Sequence, residues 1–468
     1  MGARAVTVGV LLVAVVGYGV ADSLDVAPGV LTLAPVPTRP TPSPRPTPSE
    51  PAHLAPAGVL AELSDQAQAP TPAAVRAALA PLLAAPTLGP RVSAYVADAR
   101  SGEVLAAVAA ERPMVPASVT KLLTAAAVLS TVGGRTRLPT RVVQGSAPDE
   151  VVLVGGGDML LSPGAAGRDV AGRAGLDDLA TQVAARLRDE GQPEVVVRFD
   201  DALFAGPSVA PSWAAADVSI GYAGRVASLG LATDRARPGH PSSTDPARTA
   251  AVAFAAALRR AGVGVSGTPA RVVAPDQAPV LGQVESAPVG EVLGVALRES
   301  DNALAEVMGR LVAGSLSRPT TATDAALAVL DAVQQLGVDV GSTTIRDTSG
   351  LGRGSVVPAR VLGELLVLAT SPDQPRLRPM LEGLPVAAFT GTLADRYDTA
   401  RTRPAAGVVR AKTGTLTGVS AVAGTTVDAD GRLLVFVVMA DRVPTAGTLA
   451  AREVLDRVGA RLAGCGCR

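Results

Sequence analysis

The chain of 468 residues contains two lysines and one asparagine, and each stands beside a serine or threonine at a spacing that chemistry can use. Lys121 closes Ser118-Val119-Thr120-Lys121, Asn302 closes Ser300-Asp301-Asn302, and Lys412 opens Lys412-Thr413-Gly414-Thr415. Lysine and arginine together number 42, so arginine supplies the other 40 cations. Arginine cannot be deprotonated in a protein, whereas a buried or crowded lysine can lose its proton. The two lysine positions therefore call for an amine and not merely a charge. Ser118 and Lys121, three apart on a helix, share a face. A serine hydroxyl is a weak nucleophile until a base takes its proton. Of the two histidines, His53 lies in a proline-rich stretch and His240 between Gly239 and Pro241, so a Ser-His-Asp triad is nearly excluded by count. A lysine amine of lowered pKa is the remaining nitrogen base. The first helical turn adds free N–H groups and a positive dipole end, which stabilise negative charge beside the nucleophile.

Each motif alone is weak. Ser-x-x-Lys is common by accident and reads as a surface lysine on a helix. Ser300-Asp301-Asn302 before an Ala-Leu helix reads as an N-cap. Lys412-Thr413-Gly414-Thr415 reads as a hairpin strand ending in a turn. Functionally, Ser300 would relay a proton near Lys121 and Asn302 would grip a substrate amide. Lys412 with the hydroxyls of Thr413 and Thr415 would bind a carboxylate, while backbone N–H groups of that strand edge pair with an extended peptide. Gly414 would remove a side chain where a substrate approaches closely. A GC-rich coding background, visible in Ala, Gly, Pro and Arg, explains why lysine and asparagine are rare but not where they sit. Their joint placement by chance is on the order of one in 10⁴.

The elements that must position these residues are legible in outline. Hydrophobic residues make up 48% of the chain and aromatics 2%, so the core must be built from Ala, Val and Leu. A net charge of +0 argues against a nucleic-acid binder. A hairpin is expected from 92–97 and 103–108, with a turn at 98–102. Pro116 opens a helix through Leu129 that Gly133-Gly134 ends. From about 140 to 285 the texture changes to short Val-rich strands among Gly and Pro turns (141–144, 151–154, 195–199, 283–285), with helices at 176–189 and 249–261. Helices return at 289–297, 302–313, 321–336 and 358–369. Strands follow at 408–412, 419–425 and 433–440, then an amphipathic helix at 446–463. No internal repeat of fixed period is present.

The N-terminus reads as an export signal or membrane anchor at 1–21, with positive charge in Met1–Arg4, an apolar run from Ala5 to Val20 and small residues at 19–21. That run is shorter than the ~20 residues a spanning helix needs. Residues 22–70 form a linker whose prolines at 34–56 give an extended spacer. Cys465 and Cys467 lie in the tail (464–468) and cannot frame a disulfide scaffold; free or oxidised thiols are expected there. Two histidines and two tail cysteines make a protein-built zinc site improbable, and nothing calls for a metal or other cofactor.

Taken in order, Ser-x-x-Lys, Ser-x-Asn and Lys-Thr-Gly resemble the three signatures of the penicillin-binding protein and serine β-lactamase superfamily. The interval from Lys121 to Ser300 leaves room for an inserted domain. That architecture resembles the class C low-molecular-mass D-alanyl-D-alanine carboxypeptidases and endopeptidases of peptidase family S13. Gly155-Gly156-Gly157-Asp158, Asp200-Asp201 through Phe204 and Trp213, Asp347-Thr348-Ser349-Gly350-Leu351, and Leu384-Pro385-Val386 with Thr390-Gly391-Thr392-Leu393 fit the same family. Thr348 departs from the usual Asp-Gly-Ser-Gly-Leu. The resemblance runs from roughly 75 to 463.

It implies an α+β chain. A transpeptidase-like catalytic domain, an antiparallel sheet flanked by helices, would be built from 71–140 and 286–463, with a β-rich domain inserted at 141–285. It further implies that Ser118 attacks the carbonyl of the penultimate D-alanine of a peptidoglycan stem peptide, that Lys121 takes the proton, and that Ser300 and Lys412 pass it to the leaving amine. The N–H groups of Ser118 and Thr415 would form the oxyanion hole. Penicillins and other β-lactams would inhibit by acylation, and the protein would work in the cell envelope, secreted or anchored. Three other readings stand beside this one: a β-lactamase, a catalytically degenerate wall-binding protein, and a cross-linking transpeptidase. The only asparagine is used in the second motif, so the deacylating loop of a class A β-lactamase cannot be complete.

Overall fold

The computed structural model describes residues 67–467, together with 16–18, 20 and 21, which are helical. The expected export segment and proline-rich spacer thus lie almost wholly outside the described residues. Among the described residues no helix is long and apolar enough to cross a membrane.

In chain order the strands are β1 (Val92–Asp98), β2 (Val104–Val108), β3 (Pro113–Met114), β4 (Pro139–Gln144), β5 (Glu150–Gly155), β6 (Asp158–Leu161), β7 (Glu194–Asp200), β8 (Leu229–Leu231), β9 (Gly264–Arg271), β10 (Val280–Glu285), β11 (Val357–Pro358), β12 (Arg410–Leu416), β13 (Val419–Val427) and β14 (Leu433–Ala440). The helices are α1 (Pro72–Leu83), α2 (Lys121–Thr131), α3 (Leu176–Asp189), α4 (Ala215–Ser219), α5 (Pro246–Arg260), α6 (Val289–Arg298), α7 (Asn302–Ser315), α8 (Ala322–Gln335), α9 (Ala359–Thr370), α10 (Arg378–Glu382) and α11 (Thr448–Ala463).

The first sheet has the order β12-β13-β14-β1-β2, antiparallel throughout. Its central strands are buried on both faces, so they read as unbroken apolar runs such as Leu433–Ala440. Successive side chains still point to opposite faces. Ala97, Ala423, Val435 and Val437 enter one core with Leu122, Leu293, Leu304, Val329 and Leu365 from the helical side. Val96, Val422, Phe436 and Val438 enter the other core, closed by Leu79 of α1 and Leu455 of α11. Two helical layers thus clamp one sheet, and β12 is left at its edge.

The second sheet has the order β10-β4-β5-β7-β9. Its β10/β4/β5 part is antiparallel, while β7 pairs in parallel with β5 and β9. Parallel neighbours need crossovers, and α3 and α5 supply them. Phe199, Phe254, Leu179 and Val183 fill a core of its own. Strand β9 is absent from the sequence expectation because Gly264, Gly267 and Pro269 interrupt its pattern, and as an edge strand it is mostly exposed. Helix α1 opens on Pro72 with the Thr71 hydroxyl accepting from Ala74 N at 3.3 Å. The tail reaches back to it: Thr71 N donates to the Cys467 carbonyl at 2.7 Å, and Cys465 and Cys467 are joined as a disulfide.

Candidate active site

Ser118 does not lie on an α-helix, as the sequence suggested, but in a 3₁₀ turn, Ala117–Thr120, that runs into α2 at Lys121. The break is local. Ala117 has φ +49°, a left-handed conformation that costs a non-glycine residue ~1–3 kcal/mol and is tolerated where the surroundings fix it. The Thr120 hydroxyl holds the Ala117 carbonyl at 2.9 Å. Gly350 packs against the same carbonyl so closely that a Cβ there would lie 2.0 Å from it.

The Lys121 ammonium is 1% exposed and donates to Ser118 Oγ at 3.2 Å, Asn302 Oδ1 at 2.6 Å and the Ser349 carbonyl at 2.8 Å. Burial lowers its pKa to about 8, against the opposing pull of Asp347, Asp301 and Glu306. The geometry decides what happens when the proton leaves. The two carbonyl-type oxygens can only accept, so they retain the two remaining N–H bonds. The lone pair is then left facing Ser118 Oγ–H. Lys412 is completely buried, donates to the Thr413 carbonyl at 3.0 Å, and has a pKa far below its ordinary value through burial, then Lys121, then Arg396.

The second motif combines both readings that the sequence allows. Asp301 caps α7 by accepting from Leu304 N at 2.9 Å. Its other oxygen takes Arg235 Nε and Nη2 at 3.0 and 2.7 Å, while Arg235 also reaches Glu299 at 2.8 Å. Ser300 is held at φ +57° and lines the cleft. Asn302 is held from both sides: Oδ1 accepts from Lys121, and Nδ2 donates one N–H to the Tyr222 carbonyl at 2.7 Å.

The third motif lies along edge strand β12. Pro385–Ala387 cover the start of that edge, with Ala411 N donating to the Pro385 carbonyl and Ala387 N to the Val409 carbonyl. Further along, Thr415, Leu416 and Thr417 line the cleft. Thr413 Oγ1 lies 2.7 Å from Thr392 Oγ1, so the Thr390–Leu393 segment supports it. A Cβ on Gly414 would lie 2.5 Å from the Pro116 carbonyl and 3.3 Å from Ser118 N. The close approach at Gly414 is therefore made by the nucleophile turn itself, where the sequence reading had a substrate.

Behind the lysine, Asp347 accepts from Ser349 N, Ser349 Oγ, Gly350 N, Gly352 N and Ser212 Oγ, at 2.6–2.9 Å. This knot aims the Ser349 carbonyl at Lys121. Thr348 donates through N and Oγ1 to the buried Glu306, whose pKa burial pushes up to about 7. Gly309 is the partner of that departure: a Cβ there would lie 2.4 Å from Thr348 Cγ2.

The three motifs meet in one cleft of about 620 Å³. Ser118, Ser300, Asn302 and Thr415 line it, along with Asp217, Tyr222, Arg235 and Arg237 from the 217–238 segment and Arg452 from α11. Sequence reasoning missed these last five residues. Only the break in texture at 140–285 pointed to the 217–238 wall, and nothing distinguished Arg235 or Arg452 from the other arginines. Among the described residues no group of three or more His, Cys, Asp or Glu is placed to hold a metal ion.

The described sheets resemble the crystal structure of penicillin binding protein 4 (dacB) from Haemophilus influenzae, with a TM-score of 0.64 at 20% identity over 82% of this chain and 98% of that one. Carboxypeptidase DacB of Mycolicibacterium smegmatis is 38% identical over 424 residues, 89% of each chain. Carboxypeptidase Rv3627c of Mycobacterium tuberculosis is 36% identical over 419 residues, 88% of each chain. Residues 75–239 and 232–462 match one family throughout, and the chain belongs to it: the D-Ala-D-Ala carboxypeptidase 3 (S13) family.

Proposed function

We propose that the chain is a serine D-alanyl-D-alanine carboxypeptidase acting on peptidoglycan stem peptides through an acyl-enzyme. The observation that carries this reading is the Lys121 amine, hydrogen-bonded to Ser118 and fixed by two acceptors that cannot donate to it. Ser118 Oγ attacks the carbonyl carbon of the penultimate D-alanine as its proton passes to Lys121 Nζ. The N–H groups of Ser118 and Thr415 hold the oxyanion; one such donor is worth ~10²–10³ in rate. The C–N bond breaks, and the proton moves by Ser300 and Lys412 to the departing D-alanine amine. Water then hydrolyses the ester and frees Ser118. Thr413, Gly414 and Thr415 line the strand edge that receives the peptide. A β-lactam is opened by the same attack, but its amine stays tethered, so the acyl-enzyme persists.

Residues 141–285 act as an inserted domain whose 217–238 segment forms one wall of the cleft. The N-terminal segment exports the protein to the cell envelope, where its substrate is, and is either removed or kept as an anchor.

The experiment is release of D-alanine from a defined pentapeptide, with labelling by a fluorescent penicillin. Ser118→Ala is expected to abolish both. Persistent labelling of that variant would sink the assignment of the nucleophile. Rapid hydrolysis of a chromogenic cephalosporin would instead make this a β-lactamase.

A further inference from the structure

Glu306 is a fully buried acid one turn beyond Asn302 on α7, and the acylation steps above make no use of it. Its Oε1 accepts from Thr348 N at 2.5 Å and from Thr348 Oγ1 at 2.8 Å. The Thr348 carbonyl in turn accepts from Thr124 Oγ1 of α2 at 2.6 Å. Thr348 is thus fixed between two helices. The next carbonyl along, that of Ser349, receives the Lys121 ammonium at 2.8 Å. Two residues one turn apart on α7 therefore act on the same amine, Asn302 directly and Glu306 through the 348–349 backbone. Stability does not explain an acid at this place. A glutamine would accept from the same two donors, and burying a carboxylate with one oxygen unfilled is costly. Oε2 of Glu306 is buried with no hydrogen-bond partner. Arg310, one turn further along, does not fill it: Nη1 and Nη2 donate to the Ala205 and Pro207 carbonyls at 3.0 and 2.7 Å, and Nε is buried without a partner.

We propose that Glu306 is a positioning residue for acylation: through Thr348 it fixes the Ser349 carbonyl that orients the Lys121 amine, and it does so with a carboxylate whose charge also bears on that amine. The proposal rests on the acyl-enzyme reading above. The charged groups around Glu306 are Asp347 from the 347–350 loop, Arg310 from its own helix and Lys121 from α2. The buried residues of α6 and α8, which also pack on α7, are apolar. Burial raises the Glu306 pKa to about 7, below the value of about 8 at which Lys121 gives up its proton. Glu306 is therefore mostly ionised where Lys121 titrates, and there it favours the ammonium form. The sign follows: removing its charge makes the neutral amine available at lower pH.

The test is the pH profile of penicillin acylation in two variants beside wild type. Glu306→Gln keeps an acceptor for both Thr348 donors and removes the charge. Its inflection is expected about 0.5–1 pH unit below that of wild type, with most of the plateau rate kept. Glu306→Ala leaves both donors buried without an acceptor, so the loop shifts and the plateau should fall about 10–100-fold. Circular dichroism melts report folding, and Glu306→Gln carries the test alone where Glu306→Ala fails to fold. An inflection in Glu306→Gln that stays in place or moves up marks a merely structural acid and overturns the proposal. A folded Glu306→Ala that reaches the wild-type plateau overturns it too, as does an equal loss of plateau in both variants. A wild type that takes no penicillin at any pH removes the acyl-enzyme reading itself, and the proposal with it.

Discussion

At the scale of single residues the site is a problem of one proton. While Lys121 is charged it donates to Ser118 and cannot accept, so acylation must wait for the neutral amine. Its pKa of about 8 sets where that happens. The sign is that of a base with a lowered pKa: kcat/KM for acylation should rise with pH and level off above about 8. Stopped-flow acylation by penicillin from pH 6 to 9.5 checks it. Lys121→Arg keeps the charge and cannot give up the proton, so it should lose about 10²–10⁴-fold at every pH. This part of the site was readable in advance because lysine and asparagine are rare enough here for position to carry information. Arg235, Arg237 and Arg452 line the same cleft and were invisible for the opposite reason: in a chain with 40 arginines the residue type says nothing, and only geometry picks them out.

At the scale of elements, the site depends on how near the nucleophile turn and β12 can come. Gly414 sets that distance by lacking a side chain. Gly414→Ala would push a methyl against the Pro116 carbonyl, backbone that cannot rotate away. The expected result is a fall of about 10²–10³-fold in penicillin acylation, the size of losing one oxyanion donor. Acylation rates beside a thermal melt separate this from unfolding. The sequence located the strand but not this contact, since which backbone meets a glycine is set by tertiary packing. The same limit applies to the nucleophile turn. Pro116 announced a helix start, but the left-handed Ala117 that makes the turn 3₁₀ has no signature in residue type. Thr348 shows how a departure from the family pattern is absorbed. Its side chain takes the space that Gly309 leaves on α7 and bonds to Glu306 at 2.8 Å.

At the scale of the whole molecule, the segment between the first two motifs is joined to the chemistry at three points: Arg235 on Asp301, the Tyr222 carbonyl on Asn302, and Ser212 Oγ on Asp347 behind Lys121. The Arg235–Asp301 pair is largely buried, with side-chain exposures of 11% and 10%. Arg235→Ala would leave Asp301 without its cation, and breaking one side of such a pair costs about 3 kcal/mol. Denaturant melts should show that loss, with kcat/KM falling alongside it because Asn302 and Lys121 stand next in the chain of contacts. The texture break at 140–285 coincides with the second sheet and its separate core. It did not reveal that the segment builds a wall of the cleft, because that contact joins residues far apart in sequence. The burial of both lysines reaches beyond catalysis. With Lys121 at 1% and Lys412 at 0% exposure, the folded exterior carries no ε-amino group at all. Amine-acylating dyes and lysine-specific proteases find no exposed lysine on the native protein, and amine coupling to a bead or chip is confined to the α-amino terminus.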